Sequence, residues 1–194
     1  YAGTSFAVPS IWAGGMMLHT LGQAGFEHRN TLVKLLEANG YLRMVTIDHI
    51  VDELEPRGPN FRQIEQTKST MQLDVCSTVD ELKSTLTATE RSRPVFFYTL
   101  SQNVHISIAW SRPPPPDRSY PGFFPQVAAG VERLDACFGN FIDFLERTGR
   151  YDDSIVILLS DHGDSLGEEG RWGHAYVIVP EIMRIPLIIH VPSA

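Results

Sequence analysis

Two adjacent side chains in this chain, Asp161 and His162, are suited to metal chemistry. A carboxylate beside an imidazole is a good ligand pair for Zn²⁺ or Mn²⁺. Gly163 directly after them lets the backbone turn sharply. The pair follows the run from Asp153 to Ser160, which is β-branched, uncharged inside and bounded by turns. That composition predicts a buried central strand. In open α/β sheets, ligands bind outside the carboxyl ends of the strands, so Asp161 and His162 fall where a site is expected. The dipeptide alone leaves a second reading open, a plain polar turn that caps a strand.

The elements that must position this pair are legible in outline. Residues 9–17 read as a short helix opened by Pro9. From Asn30 to Gly40 a helix is predicted. Asn30 takes the N-cap, apolar residues stand at 32, 33, 35 and 36, and Gly40 takes the C′ position. Residues 41–47 read as a strand. Glu55 to Asn60 is a turn cluster, and the polar stretch beyond it suits a helix. Thr78 is expected to cap a helix running to about Thr89, with Glu81 completing a capping box.

The run from Arg93 to Leu100 predicts a strand buried on both faces. A long loop containing Pro113 to Pro116 follows, and loops of that length are usually functional or disordered. Residues 126–148 form the strongest helix, with Leu134, Phe138, Phe141 and Leu145 at helical spacing and Gly149 ending it. The last apolar strand spans 184–191, with Pro186 near its start, where a missing donor is tolerated. Helices alternating with apolar strands imply an α/β fold, a mostly parallel central sheet with helices on both faces. No repeat or linker is visible, so residues 1–194 read as one domain.

Composition narrows the function. At 43% hydrophobic and 20% charged, the chain has the make-up of a soluble globular domain. No apolar run approaches the roughly 20 residues that cross a bilayer, so no membrane segment is expected in this chain. The opening residues lack the basic and apolar regions of a signal peptide. A net charge of −7 argues against nucleic-acid binding, which wants a basic face. It leaves an anionic substrate open, since a bound metal supplies positive charge that formal counting omits. Cys76 and Cys137 stand far apart, match no metal spacing, and read as free, partly buried thiols.

The wider context of the pair is more specific. The stretch Asp161-His162-Gly163-Asp164-Ser165-Leu166-Gly167-Glu168-Glu169-Gly170-Arg171-Trp172-Gly173-His174, followed by Glu181 and by Arg184 to Ile189, resembles the sulfatase and alkaline-phosphatase superfamily. The close match covers about 30 residues. Residues 151–157, the helix before them, and Pro94 to Tyr98 followed by His105 also look like that family. The resemblance implies an alkaline-phosphatase-like fold, here apparently truncated at both ends. It implies that Asp161 and His162 are metal ligands, for a divalent ion that is Zn²⁺ or Mn²⁺ ahead of Ca²⁺. His174 falls where the family places a Lys or His against the transferred group, and His105 near a substrate-contacting His, although the residues after His105 depart from the family pattern.

The family also needs an acidic ligand on an earlier strand, which this chain does not contain, and a nucleophile at a helix start. In the sulfatase pattern, counting back from Pro9 gives Ala7, which has no nucleophilic atom; in the phosphoethanolamine-transferase pattern it gives Thr4. Three readings stay open: Thr4 or Ser5 attacks, Ala7 marks an inactive domain, or the segment is only a helix start. The absence of a Cys here argues against formylglycine chemistry and toward phosphoryl transfer.

The expected function is a metal-dependent hydrolase or transferase of phosphate or sulfate esters, acting on a small-molecule, lipid-linked or sugar-linked anionic ester. The alternative is a catalytically inactive relative kept for binding or assembly. Asp48 and His49 read as a solvated turn, Glu168 and Glu169 as exposed loop acids, and His190 as structural. Asp164 could orient a ligand, and Glu181 could pair with Arg184.

Overall fold

The computed structural model describes residues 2–16, 29–175 and 177–192. Met17, the end of the expected first helix, lies outside them. The chain forms two compact units. One comprises Tyr1–Gln66, Glu90–Tyr98 and Leu159–Leu187; the other comprises Thr67–Thr89, Thr99–Leu158 and Ile188–Ala194.

The first unit is built on a three-stranded parallel sheet. Its strands are β1 (Leu42–Thr46), β2 (Phe61–Ile64) and β3 (Val95–Tyr98), in the order β2-β1-β3. In the registers, Arg43 faces Phe61 on one side of β1 and Phe96 on the other. Every residue of β1 is buried, as a strand paired on both edges should be. Helix α1 spans Thr4–Ala13 and α2 spans Thr31–Ala38.

As expected, Asn30 caps α2, its side chain accepting the Val33 amide at 3.2 Å, and Gly40 beyond it takes a left-handed φ of 69°. The Asn30 amide also donates to the Leu54 carbonyl at 2.6 Å, tying α2 to the short helix α3 (Val51–Leu54). Val8, Trp12, Met44, Val45, Val51 and Ile64 are fully buried and form the core of this unit.

Two expectations change here. The helix predicted to open at Pro9 opens at Thr4, and Pro9 lies inside it. Proline removes one amide donor, which a ten-residue helix with Val8 and Trp12 packed in the core tolerates. The polar stretch after Asn60 contains the strand β2 rather than a helix. Its pairing with β1, rather than an apolar pattern, decides its conformation.

The second unit holds the helices α4 (Val75–Ala88), α5 (Ile106–Ser111) and α6 (Pro125–Arg147). α4 begins four residues earlier than expected. Asp74 is its cap, accepting the Cys76 amide at 2.9 Å, and Thr78 is buried inside the helix. The expected long helix is α6, with Phe141 and Leu145 buried on its inner stripe.

Cys76 and Cys137 are joined as a disulfide between α4 and α6, which corrects the free-thiol reading. Their separation of 61 residues hid a pairing made by helix packing. Arg133 reaches Asp74 at 3.1 Å, and Asn103 donates to the same carboxylate at 3.1 Å. Burial pushes the Asp74 carboxyl up, but the Arg133 guanidinium and the backbone amides outweigh it and hold the group below the usual carboxylate range.

Strand β4 (Val156–Leu159) pairs with β7 (Leu187–His190). β4 was expected to be a buried central strand, and 184–191 an apolar strand. Instead Ile157 is 53% and Ile189 53% exposed. An apolar run predicts a strand, but not what covers its faces. His190 is structural, as read: it stacks on Tyr151 at 3.9 Å and its Nε2 meets the Tyr151 carbonyl at 3.2 Å.

Candidate active site

The segment after β4 returns to the first unit and carries Asp161 and His162. Its path is set by the turn α7 (Pro180–Met183), anchored by the buried Ile182. The Gly163 amide donates to the Ile182 carbonyl at 2.8 Å. A Cβ at position 163 would stand 2.1 Å from the Glu181 carbonyl oxygen, so close approach of the two backbones requires glycine. Ser160 closes the turn with a hydrogen bond from its hydroxyl to the His162 carbonyl.

His162 is 9% exposed, and its Nδ1 lies 2.9 Å from the Gly163 carbonyl. A carbonyl can only accept, so Nδ1 carries the proton and Nε2 presents a lone pair in the neutral ring. Two groups meet that lone pair. The Thr4 hydroxyl stands 3.1 Å away and can donate to it. The Asp161 Oδ2 stands 3.4 Å away, is buried, and has no hydrogen-bond donor. Thr4 is the first residue of α1, where the helix dipole favours negative charge. Ala7, the other position considered for a nucleophile, is 5% exposed and packed inside the same helix.

After Asp161 and His162 the chain forms a hairpin, β5 (Ser165–Leu166) against β6 (Trp172–Gly173), antiparallel. Gly167, which opens the turn between the two strands, takes a φ of 115° with the Trp172 ring beside it, a conformation open to glycine. The hairpin delivers His174, whose ring lies 4.0 Å from that of His162. Asp164 Oδ1 binds His174 Nδ1 at 2.6 Å.

Thr4, Asp161, His162 and His174 thus gather in one unit. His105 belongs to the other. There it caps α5, its Nδ1 2.7 Å from the Ser107 hydroxyl.

Several residues were misread or missed. Asp48 is buried at 5% exposure rather than solvated, and its Oδ1 accepts the amides of Ile50 and Val51 at 2.8 and 2.7 Å. Burial pushes the Tyr98 phenol up, and the charges of Asp48 and Asp161 push it further. Tyr98 in turn packs edge-on against Trp12 at 5.4 Å. Glu181 pairs with Arg171, not with Arg184. Glu168 and Glu169 are exposed, as read.

The donors at this place suit a cation. Asp161 offers a buried oxygen without a donor, His162 a nitrogen lone pair, and Thr4 a hydroxyl oxygen. Oxygen and imidazole nitrogen are the ligand types of Zn²⁺ and Mn²⁺. They would make up part of a coordination shell. Among the described residues, no group of three or more His, Cys, Asp or Glu is placed to hold an ion by itself.

The sulfatase family model matches residues 3–194. A choline-sulfatase of Rhizobium meliloti is 41% identical over 65 residues, which are 34% of this chain and 12% of that protein. A 2-O GAG sulfatase structure matches with a TM-score of 0.65 at 14% identity, covering 99% of this chain and 55% of the other. The lipoteichoic acid synthase LtaP from Listeria monocytogenes matches with a TM-score of 0.57 at 16% identity, covering 83% of this chain and 46% of the other. At those identities the structural likeness concerns the fold. The chain spans about half the length of these solved relatives, and its matched stretch is a small part of the curated one.

Proposed function

This chain belongs to the sulfatase family, and we propose on that premise that it is a metal-dependent hydrolase or transferase of phosphate or sulfate esters, with Thr4 as nucleophile. Members of the superfamily act on such esters and are generally metal-dependent. One observation carries the reading for this chain. A helix-terminal hydroxyl, an imidazole lone pair and a buried carboxylate oxygen without a donor converge within 3.1 and 3.4 Å.

Asp161, His162 and the Thr4 oxygen would hold the divalent ion, Zn²⁺ or Mn²⁺ by donor type. Such an ion would polarise the ester and favour the alkoxide of a bound hydroxyl. The chain's own residues do the rest. α1 presents its positive end to the anionic group. Thr4 supplies the attacking oxygen. Asp164 fixes the His174 ring, which would donate a hydrogen bond to an oxygen of the transferred group. We keep His105 as a substrate-contacting residue on the strength of the family resemblance. We also keep residues 1–194 as part of a single sulfatase-like domain, since one family model runs across both units. The substrate class is a small-molecule, lipid-linked or sugar-linked anionic ester.

The inactive alternative is favoured by the missing third acidic or histidine ligand among the described residues. One experiment separates the two. The chain is assayed on p-nitrophenyl phosphate and p-nitrophenyl sulfate with added Zn²⁺ or Mn²⁺, beside Thr4→Ala. Metal-dependent turnover that falls on the order of a thousandfold in Thr4→Ala is expected. Tight metal uptake without turnover would favour the inactive relative. Turnover that survives Thr4→Ala would remove Thr4 as nucleophile.

A further inference from the structure

The hairpin that delivers His174 is fastened outside its own two strands at one carboxylate. Arg171, immediately before β6, places Nη2 at 2.7 Å and Nε at 3.2 Å from Glu181 Oε1. Its Nη1 reaches Glu169 Oε2 at 2.5 Å. The hydroxyl of Ser165, on β5, approaches the same Glu181 oxygen at 3.3 Å. Glu181 in turn stands on α7, the turn whose backbone closes on Gly163 beside His162. One carboxylate therefore links both strands of the hairpin to the segment that carries the proposed metal ligands.

The backbone bears signs of being held. Glu169 and Ala175 adopt left-handed φ values of 51° and 82°, which cost an L residue energy. They bracket the span from Arg171 to His174. Strained backbone of this kind persists only where its surroundings enforce it.

We propose that the Arg171–Glu181 pair is a positioning device that sets the His174 ring against the His162 ring. The inference rests on the proposed function for its catalytic meaning, but not for its geometry. The pair is partly exposed, with 29% and 17% of the two side chains accessible. Pairs of that kind add little to stability, so its effect belongs to placement. Only two residues separate Arg171 from His174, and both lie in β6. A shift at the guanidinium is passed directly to the imidazole, and catalytic geometry is sensitive to displacements near 1 Å. Arginine suits the task because two of its nitrogens engage the carboxylate together; a lysine has a single point of contact.

The test uses the full chain with isotope-labelled histidine, without added metal, as wild type, Arg171→Gln, Arg171→Lys and Glu181→Gln. The first readout is the nuclear Overhauser contact between the two imidazole rings, whose centroids lie 4.0 Å apart. We expect the contact in wild type, its loss in Arg171→Gln and Glu181→Gln, and partial retention in Arg171→Lys. The second readout is turnover of p-nitrophenyl phosphate with Zn²⁺. There kcat should fall about tenfold to a hundredfold in the Gln variants, with KM within about threefold of wild type. An undiminished ring contact in both Gln variants would overturn the proposal. So would loss of the folded amide spectrum in all three variants, since the pair would then carry the fold and not the ring. If wild type turns over no ester, the ring contact still decides the placement, and only the catalytic reading falls.

Discussion

Two buried carboxylates in the first unit make an instructive pair. Glu55 lies beside the guanidinium of Arg43, and both side chains are almost wholly buried. Arg43 also donates to the Pro56 carbonyl at 3.1 Å and meets Glu37 at 3.3 Å. That charge is answered from within the chain. Asp161 is almost as deeply placed, but no lysine or arginine of the described chain reaches its Oδ2, which has no hydrogen-bond partner and lies 3.4 Å from His162 Nε2. A buried charge must be paired or coordinate a metal. The first carboxylate also keeps one oxygen, Oε2, without a hydrogen-bond partner, but its Oε1 meets an arginine and the pair serves the fold. The second has no such arginine, and under the proposed function it is the carboxylate that would hold the ion.

The comparison breaks most visibly in activity. Asp161→Ala should abolish metal-dependent ester turnover, a loss on the order of a thousandfold or more. The same variant should leave the fold intact by circular dichroism. Full turnover in Asp161→Ala would remove the carboxylate from the chemistry. Arg43→Met should do the reverse. It strands Glu55 in the core and should cost about 3–5 kcal/mol, read from the denaturant midpoint. A cost under about 1 kcal/mol would mean that the pair adds little. Reducing the Cys76–Cys137 disulfide, which closes 61 residues, should lower stability by about 4 kcal/mol on the chain-entropy account. The loss should appear in the unit that holds α4 and α6.

How far these features could be read beforehand depended on whether the signal was local. The helix from Asn30, the long helix α6 and strands β1 and β3 follow from apolar period and caps, which act within a few residues. Asp161 and His162 could be singled out because a strand, two residues of ligand type and a glycine are consecutive. The start of α1 was not, because Pro9 is a strong local mark for a first turn and yet sits inside a helix begun at Thr4. β2 was missed because the run Phe61-Arg62-Gln63-Ile64 takes its conformation from pairing with β1. Asp48 looked like a turn residue and is one, but burial cannot be read from a dipeptide. Glu181 was matched to Arg184 three residues on, whereas the hairpin brings Arg171 from ten residues back.

The gentlest effect concerns pH and sharpens the contrast through Glu55 and Glu181. Burial pushes the Glu55 carboxyl above its ordinary range despite Arg43. Its contribution to stability is thus fullest below the unfolded value and is lost as pH rises through the folded one. Glu181 runs the other way. The hydrogen bond from Arg171 holds it below the ordinary range, so its contribution is present above the unfolded value and lost as pH falls through the folded one. Denaturant midpoints between pH 3 and 7, roughly the range these carboxyls sample, should therefore respond oppositely to Glu55→Gln and Glu181→Gln. Parallel profiles for the two variants would contradict the assignment.

The central claim is that Asp161 is the carboxylate reserved for a cation, and calorimetric titration with Zn²⁺ or Mn²⁺ tests it most directly. Wild type should take up an ion with release of heat, and the isosteric Asp161→Asn should take up none at the same concentrations. Equal uptake by both chains, or none by wild type, would contradict the account.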